Sequence, residues 1–272
     1  MEINDIINDA YRFPANNFKA IAIYIVLSVV AFILFLGGLF SLILVGNNSA
    51  YLILTAILFI LALCVGLIMA GFQIDLIKTG IDLEDIAPDF DFKNDFVRGI
   101  KNIIVSIVYY IIPAIITLII AFLTNVPGQL SDVFYYANQT VVNTSGSTVI
   151  NYNLNTVPSS ITAGASGSLL MTLLVGIVLF IIFAFLKFMA NARLAKTDSL
   201  GEALNIPEAF RDISKIGYAN VIGVVLIMVI IFIVINGILT AVPFLAILNI
   251  IVSPYLMFAM ARANGLLYSE VE

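Results

Sequence analysis

Residues 20–74 read AIAIYIVLSVVAFILFLGGLFSLILVGNNSAYLILTAILFILALCVGLIMAGFQI, 55 consecutive residues without a charge, bounded by Lys19 and Asp75. A helix crossing the ~30 Å hydrocarbon core of a bilayer needs about 20 apolar residues at 1.5 Å each. The stretch therefore holds two crossings and a turn, and Gly46-Asn47-Asn48-Ser49-Ala50 supplies the turn-forming residues. A second uncharged run, 46 residues between Lys215 and Arg262, repeats the pattern around Pro243, which suits the first position of a new helix. As one helix it would reach about 69 Å, too long for a single crossing.

Working outward, six spans are predicted near Ala20–Val45, Tyr51–Ile74, Ile103–Leu123, Leu169–Leu186, Val221–Leu239 and Phe244–Met260. The expected fold is an all-α membrane protein, six transmembrane helices forming three hairpins. The 12 basic residues all lie beside the same ends of these spans. Arg12 and Lys19 precede the first. Lys78, Lys93, Arg98 and Lys101 fall between the second and third, and Lys187, Arg193, Lys196, Arg211 and Lys215 between the fourth and fifth. Arg262 follows the sixth. Because Lys and Arg are retained on the cytoplasmic side, both termini are expected to be cytoplasmic.

At 272 residues, 62% hydrophobic and 11% charged, with mean hydropathy +1.12, the chain lies far outside the soluble globular range. One integral membrane domain, 1–272, is the expected organisation. Within it lie an interfacial segment 1–19, an acidic cytoplasmic linker 75–102, an external loop 125–167 and a cytoplasmic linker 187–217. A net charge of −5 is unlike that of a nucleic-acid binder, which needs a basic face for phosphates. Histidine and tryptophan are absent and Cys64 stands alone in an apolar run, so it reads as a small buried residue. No cofactor or metal is expected. Ala20 to Val45 is too long for the 7–15-residue core of a signal peptide, so it reads as a first span.

The external loop carries one charge, Asp132, and residues 140–150 carry a β-hairpin signal around a Ser-Gly turn. Asn138 and Asn143 start glycosylation sequons, and Asn47 starts another next to the membrane. Two lead-in segments look amphipathic. Ile3, Ile6, Ile7, Ala10 and Tyr11 share one helical stripe, and Phe92, Phe96 and Ile100 are spaced by four. Both are expected to lie in the headgroup layer, apolar face down. Ala10-Tyr11-Arg12 and Ala209-Phe210-Arg211, with Lys78-Thr79 and Lys196-Thr197, suggest three copies of one unit, a lead-in followed by a helical hairpin.

Several stretches together resemble the archaeal and bacterial membrane family catalogued as domain of unknown function 4013. They are Asp9-Ala-Tyr-Arg-Phe-Pro14, Gly71-Phe-Gln-Ile-Asp-Leu-Ile-Lys-Thr-Gly80, Pro88-Asp-Phe-Asp-Phe92, Phe96-Val-Arg-Gly-Ile-Lys101, Phe188-Met-Ala-Asn-Ala-Arg193 and Ser199-Leu-Gly-Glu-Ala-Leu204. The resemblance covers nearly the whole chain apart from the external loop. It implies an archaeal plasma membrane and no particular activity.

Candidate chemistry is sparse. Asp89, Asp91 and Asp95, with Asp82, Glu84 and Asp85, form the one acidic cluster. As a calcium loop it fails, because Lys93 and Asn94 stand where an oxygen ligand and a glycine are needed. A weak Mg²⁺ or Ca²⁺ site is the lesser alternative, and a solvated linker docked by Phe90, Phe92 and Phe96 is the favoured reading. Intramembrane polar residues mark transport routes when they cluster. Here they are Asn236, Asn249 and, at the inner end of span two, Gln73 and Asp75, the last spaced to pair with Lys78. Asn236 and Asn249 are expected to bridge helices. Gly66, Ala70, Gly176, Gly223 and Gly237 are the expected packing residues, and Pro113, Pro243 and Pro254 the expected kinks.

The chain contains no nucleophile elbow and no phosphate-cradling loop, so it is not expected to be an enzyme. It reads as a structural or interaction component of the membrane. The alternative is a transport component or permease-like subunit for an uncharged or lipidic solute. A lipid-modifying enzyme using Asp89 and Asp91 is a distant third. Expected partners are membrane lipids and either other proteins or further copies of the chain, with no nucleic acid.

Overall fold

The computed structural model describes residues 1–46, 48–137, 157–271 and, by their backbone, 141–144 and 147–150. Ten α-helices are described: α1 (Ile3–Asn16), α2 (Phe18–Ile43), α3 (Ala50–Ile81), α4 (Phe92–Leu123), α5 (Val126–Ala137), α6 (Ser159–Thr197), α7 (Leu200–Ala203), α8 (Ile206–Ile216), α9 (Tyr218–Ala241) and α10 (Asn249–Tyr268). Six segments are long and apolar enough to cross a membrane: α2, α3, α4, α6, α9, and α10 with the turns flanking it. Their outward faces carry large apolar side chains along their length, Phe32 being 59% exposed and Leu123 80%. Hydrocarbon is the solvent that tolerates such a surface.

The helices overrun the apolar spans. At 39 residues, α6 is about 58 Å long, nearly twice the ~30 Å core. α3 runs on through Asp75 and Lys78 to Ile81, because Leu76 and Ile77 still find protein to pack against and are buried. The lead-in at Phe92–Lys101 is not a separate interfacial helix but the first turns of α4.

By contact the chain divides into two compact units, residues 1–107 with 185–272, and residues 108–184. In the first, α2 and α3 run antiparallel. Ser41 meets Thr55 near one end (2.6 Å) and Gln73 Nε2 donates to the Tyr24 hydroxyl near the other (3.0 Å). α1 does not lay its apolar face on lipid as expected. Ile6, Ala10 and Phe13 are buried, and α1 packs chiefly on α10, because a protein groove is available to a stripe of that spacing. α8 likewise buries Ala209, Asp212, Ile213 and Ile216. The bend from α8 into α9 is made at Gly217, whose φ of +98° suits a residue without a Cβ.

α3 makes two close crossings in this unit. A Cβ at Gly71 would overlap the Asp95 backbone of α4, and one at Gly99 the Leu67 carbonyl. Gly80 and Gly265 face each other in the same way where α3 meets α10. Of the packing glycines expected from sequence, Gly66 and Gly237 instead have nothing within 4 Å of where a Cβ would stand, whereas Gly223 faces Ile3 and Gly176 faces Thr117.

In the second unit, Thr124 Oγ1 meets Thr172 Oγ1 (3.1 Å) and Tyr110 stacks on Phe180. The expected loop over 125–167 is largely structured. α5 starts beside Pro127, which suits a first turn, and its Val126, Leu130, Phe134 and Ala137 share one stripe. α6 begins ten residues before Leu169, at Ser159, as a continuation of a helix already nucleated by its apolar span. β1 (Val141–Thr144) pairs antiparallel with β2 (Ser147–Ile150). The expected Ser-Gly turn, Asn138 and Asn47 lie outside the described residues.

Candidate functional site

The chemistry of the first unit gathers at the end of its helices where the charges lie. Helix C-termini leave carbonyls without donors and carry partial negative charge. Here cations from neighbouring helices answer them. α3 ends with Leu83 at φ 56° and a bond from the Glu84 N–H to the Thr79 carbonyl, a Schellman-type close. Onto it comes Arg262 of α10, 2% exposed. Its guanidinium donates to the Thr79 carbonyl (2.9 Å), the Glu84 carbonyl (2.5 Å) and Asp9 Oδ1 of α1 (2.8 Å). It also lies over the Phe13 ring, 4.8 Å from its centre, an attractive placement for a cation. One side chain thus ties α1, α3, α10 and the 82–91 segment.

The same device recurs twice. Lys101 of α4 donates to the Asp198 carbonyl (2.7 Å) and carboxylate (2.8 Å) just past the end of α6. Arg193 of α6 donates to the Glu202 carbonyl in the short α7 (3.1 Å), to Glu202 Oε2 (2.6 Å) and to the buried Asp212 of α8 (2.8 Å). Asp212 also accepts from the Tyr268 hydroxyl (3.1 Å). A third arginine, Arg98, pairs with Asp75 at 2.5 Å. Asp75 therefore does not pair with Lys78 as its spacing suggested, because Arg98 is brought to it by the α3–α4 crossing at Gly71.

The acidic cluster is divided among separate tasks. Asp89 pairs with Lys19 at the surface (2.9 Å). Asp91 caps α4, accepting from the Asn94 N–H (3.2 Å) and side-chain amide (2.6 Å). These bonds, the backbone one first, hold its carboxyl below the usual carboxylate range. Asp95 is buried at the α3–α4 crossing and accepts from the Asp91 N–H (3.0 Å). Together these two bonds form a reciprocal cap like a capping box. Among the described residues no three His, Cys, Asp or Glu side chains are grouped to hold a metal ion. Of the three docking phenylalanines, Phe90 carries the contact, stacked on Phe72 at 3.7 Å, whereas Phe92 is exposed. Asn17 clamps the same segment, donating to the Asp85 carbonyl and accepting from the Ala87 N–H.

The intramembrane polar residues do not converge. Asn236 Oδ1 accepts from Ser253 Oγ across α9 and α10 (3.1 Å). Gln73 bonds Tyr24 across α2 and α3. Asn249 starts α10, and among the described residues its Oδ1 has no hydrogen-bond partner. It lies in the wall of an apolar cavity of about 660 Å³ between α2, α3, α9 and α10.

Sequence reasoning treated Arg193 and Arg262 as markers of orientation and missed their structural task. The signal was their setting. Met189-Ala-Asn-Ala-Arg193 and Ala259-Met-Ala-Arg262 place each arginine among small residues, and Ala190, Ala192, Ala259 and Ala261 are all buried. An arginine on an interface that close is held by protein.

Six apolar helices and a charged end closed by internal ion pairs define a multi-pass α-helical membrane protein. The chain belongs to the family described as "Protein of unknown function (DUF4013)", whose model matches residues 54–244. It is also similar to an uncharacterized protein of Methanocaldococcus jannaschii, 33% identical over 81 residues, which make up 28% of this chain and 29% of that relative. The matched part spans less than a third of that relative's length. No solved structure matches.

Proposed function

We propose that the protein is a structural or interaction component of the plasma membrane, six spans arranged as three hairpins with both termini cytoplasmic. The observation that carries this reading is the arginine-closed end. Arg98, Arg193 and Arg262 each hold a neighbouring helix or segment by hydrogen bonds from a buried or half-buried guanidinium. Such bonding favours a rigid platform over an element that opens and closes. Its exposed charges, among them Arg211 and Asp89, would then meet protein partners or further copies.

A second reading, a transport component for an uncharged or lipidic solute, is favoured by the apolar cavity beside Asn249. Crosslinking in native membranes, paired with solute efflux from liposomes holding the purified protein, separates the two. The platform reading expects discrete crosslinked species and no efflux above empty liposomes. Efflux by the purified protein, with no crosslinked species, overturns it.

A further inference from the structure

The cavity between α2, α3, α9 and α10 has a volume of about 660 Å³, inside the ~300–1,000 Å³ range of small-molecule sites. Tyr24, Phe32, Met69, Phe232, Asn249 and Pro254 mark its extent. At one end Tyr24 packs edge-on against Phe258 at 5.6 Å and its hydroxyl is engaged by Gln73. At the other stands the Asn249 amide. Among the described residues, no Lys, Arg, Asp or Glu contributes to the lining. A charged headgroup inside it would lose its hydration with no counter-ion among the lining residues.

One buried polar atom of this wall, Asn249 Oδ1, has no hydrogen-bond partner among the described residues. In hydrocarbon such a group is costly to leave unpaired. A hydroxyl both donates and accepts, so it satisfies the amide whichever end the Asn249 side chain turns to it.

We propose that this cavity binds a neutral, mostly hydrocarbon molecule carrying a hydroxyl, of the long-chain alcohol class. Its hydroxyl lies at Asn249 and its chain runs toward Tyr24. The proposal rests on the same cavity as the transport reading and names what it holds, but it requires binding alone and no transport.

The test uses the purified full-length protein in detergent and three photoactivatable probes sharing one diazirine-bearing hexadecyl chain: the alcohol, its phosphate ester and the plain hydrocarbon. The alcohol is expected to label the Asn249–Met257 stretch saturably and at least tenfold more tightly than the other two. Asn249→Leu is expected to weaken the alcohol about tenfold, the loss of roughly one good hydrogen bond, while leaving hydrocarbon labelling unchanged. Equal labelling by alcohol and hydrocarbon, tighter labelling by the phosphate ester, or an Asn249→Leu protein that binds the alcohol like the wild type would each overturn the proposal. The three-probe comparison needs no variant and stands even where Asn249→Leu folds poorly. A negative result leaves the platform reading intact, because that reading is tested by crosslinking.

Discussion

Replacing Arg262 by methionine keeps most of the side-chain volume and removes every donor. Three hydrogen bonds then disappear, to Asp9, to Thr79 and to Glu84. Removing one member of a buried ion pair costs about 3–5 kcal/mol. Asp9 is 35% exposed at its side chain, so water recovers part of its loss. The Thr79 carbonyl keeps its bond from the Glu84 N–H, so it loses one of two donors rather than its only one. The expected loss is therefore near the lower end, about 3 kcal/mol. At about 2–4 °C per kcal/mol for a chain of this size, helical circular dichroism in detergent should show a midpoint roughly 6–12 °C lower. Arg262→Lys keeps the charge but loses the fork geometry and should fall between the two. An Arg262→Met midpoint within about 2 °C of the wild type would refute the assignment of Arg262 as the tie between α1, α3 and α10.

Gly71→Ala and Gly265→Ala each drive a methyl into a neighbouring backbone. Each should destabilise by at least the ~1–3 kcal/mol of overpacking, whereas Gly66→Ala and Gly237→Ala, with open space around them, should be neutral or gain up to about 1 kcal/mol of helix propensity. Thermal midpoints of the four variants check this, and equal effects at all four would contradict the crossings. Asp91 has its carboxyl pKa lowered by its bonds to Asn94. Its stabilising contribution is thus present above the ordinary carboxylate pKa of 3.8 and is lost as pH falls through the lower folded value. The stability gap between wild type and Asp91→Ala should accordingly be constant near neutrality and close in strong acid, as read by thermal melts across pH. A gap that widens on acidification would refute the cap. Ser253→Ala removes one bond between α9 and α10 and should cost about 0.6 kcal/mol, the typical worth of such bonds in membrane helices. A loss several times larger would contradict its role as an ordinary bridge.

The six apolar helices were legible because hydrocarbon imposes a length of uncharged residues that no soluble fold needs. Their true ends were not. The apolar run of α3 stops at Asp75, but the helix continues because Leu76 and Ile77 are buried by neighbours far away in sequence. The sequence hides α5 because its polar and turn-forming residues outweigh a periodic stripe of Val126, Leu130 and Phe134. Nor does composition say which glycines meet. Gly71 and Gly265 differ from Gly66 and Gly237 only in facing another helix, which is a matter of crossing geometry. The arginines were misjudged for a related reason. Charge counting treats Arg12 and Arg262 alike, yet one is exposed and the other is enclosed by three helices. The acidic cluster looked convergent because its members are close in sequence. The start of α4 sends Asp91 to the helix end and Asp95 into the crossing.

Sidedness is the most direct test of the whole account. In a Cys64→Ser background, single thiols at Lys93, Glu208 and Asp132 would be challenged with a membrane-impermeant maleimide on intact cells and again after permeabilisation. Asp132→Cys is expected to react at once, and Lys93→Cys and Glu208→Cys only once the membrane is opened. Reaction of all three from the same side would contradict this sidedness.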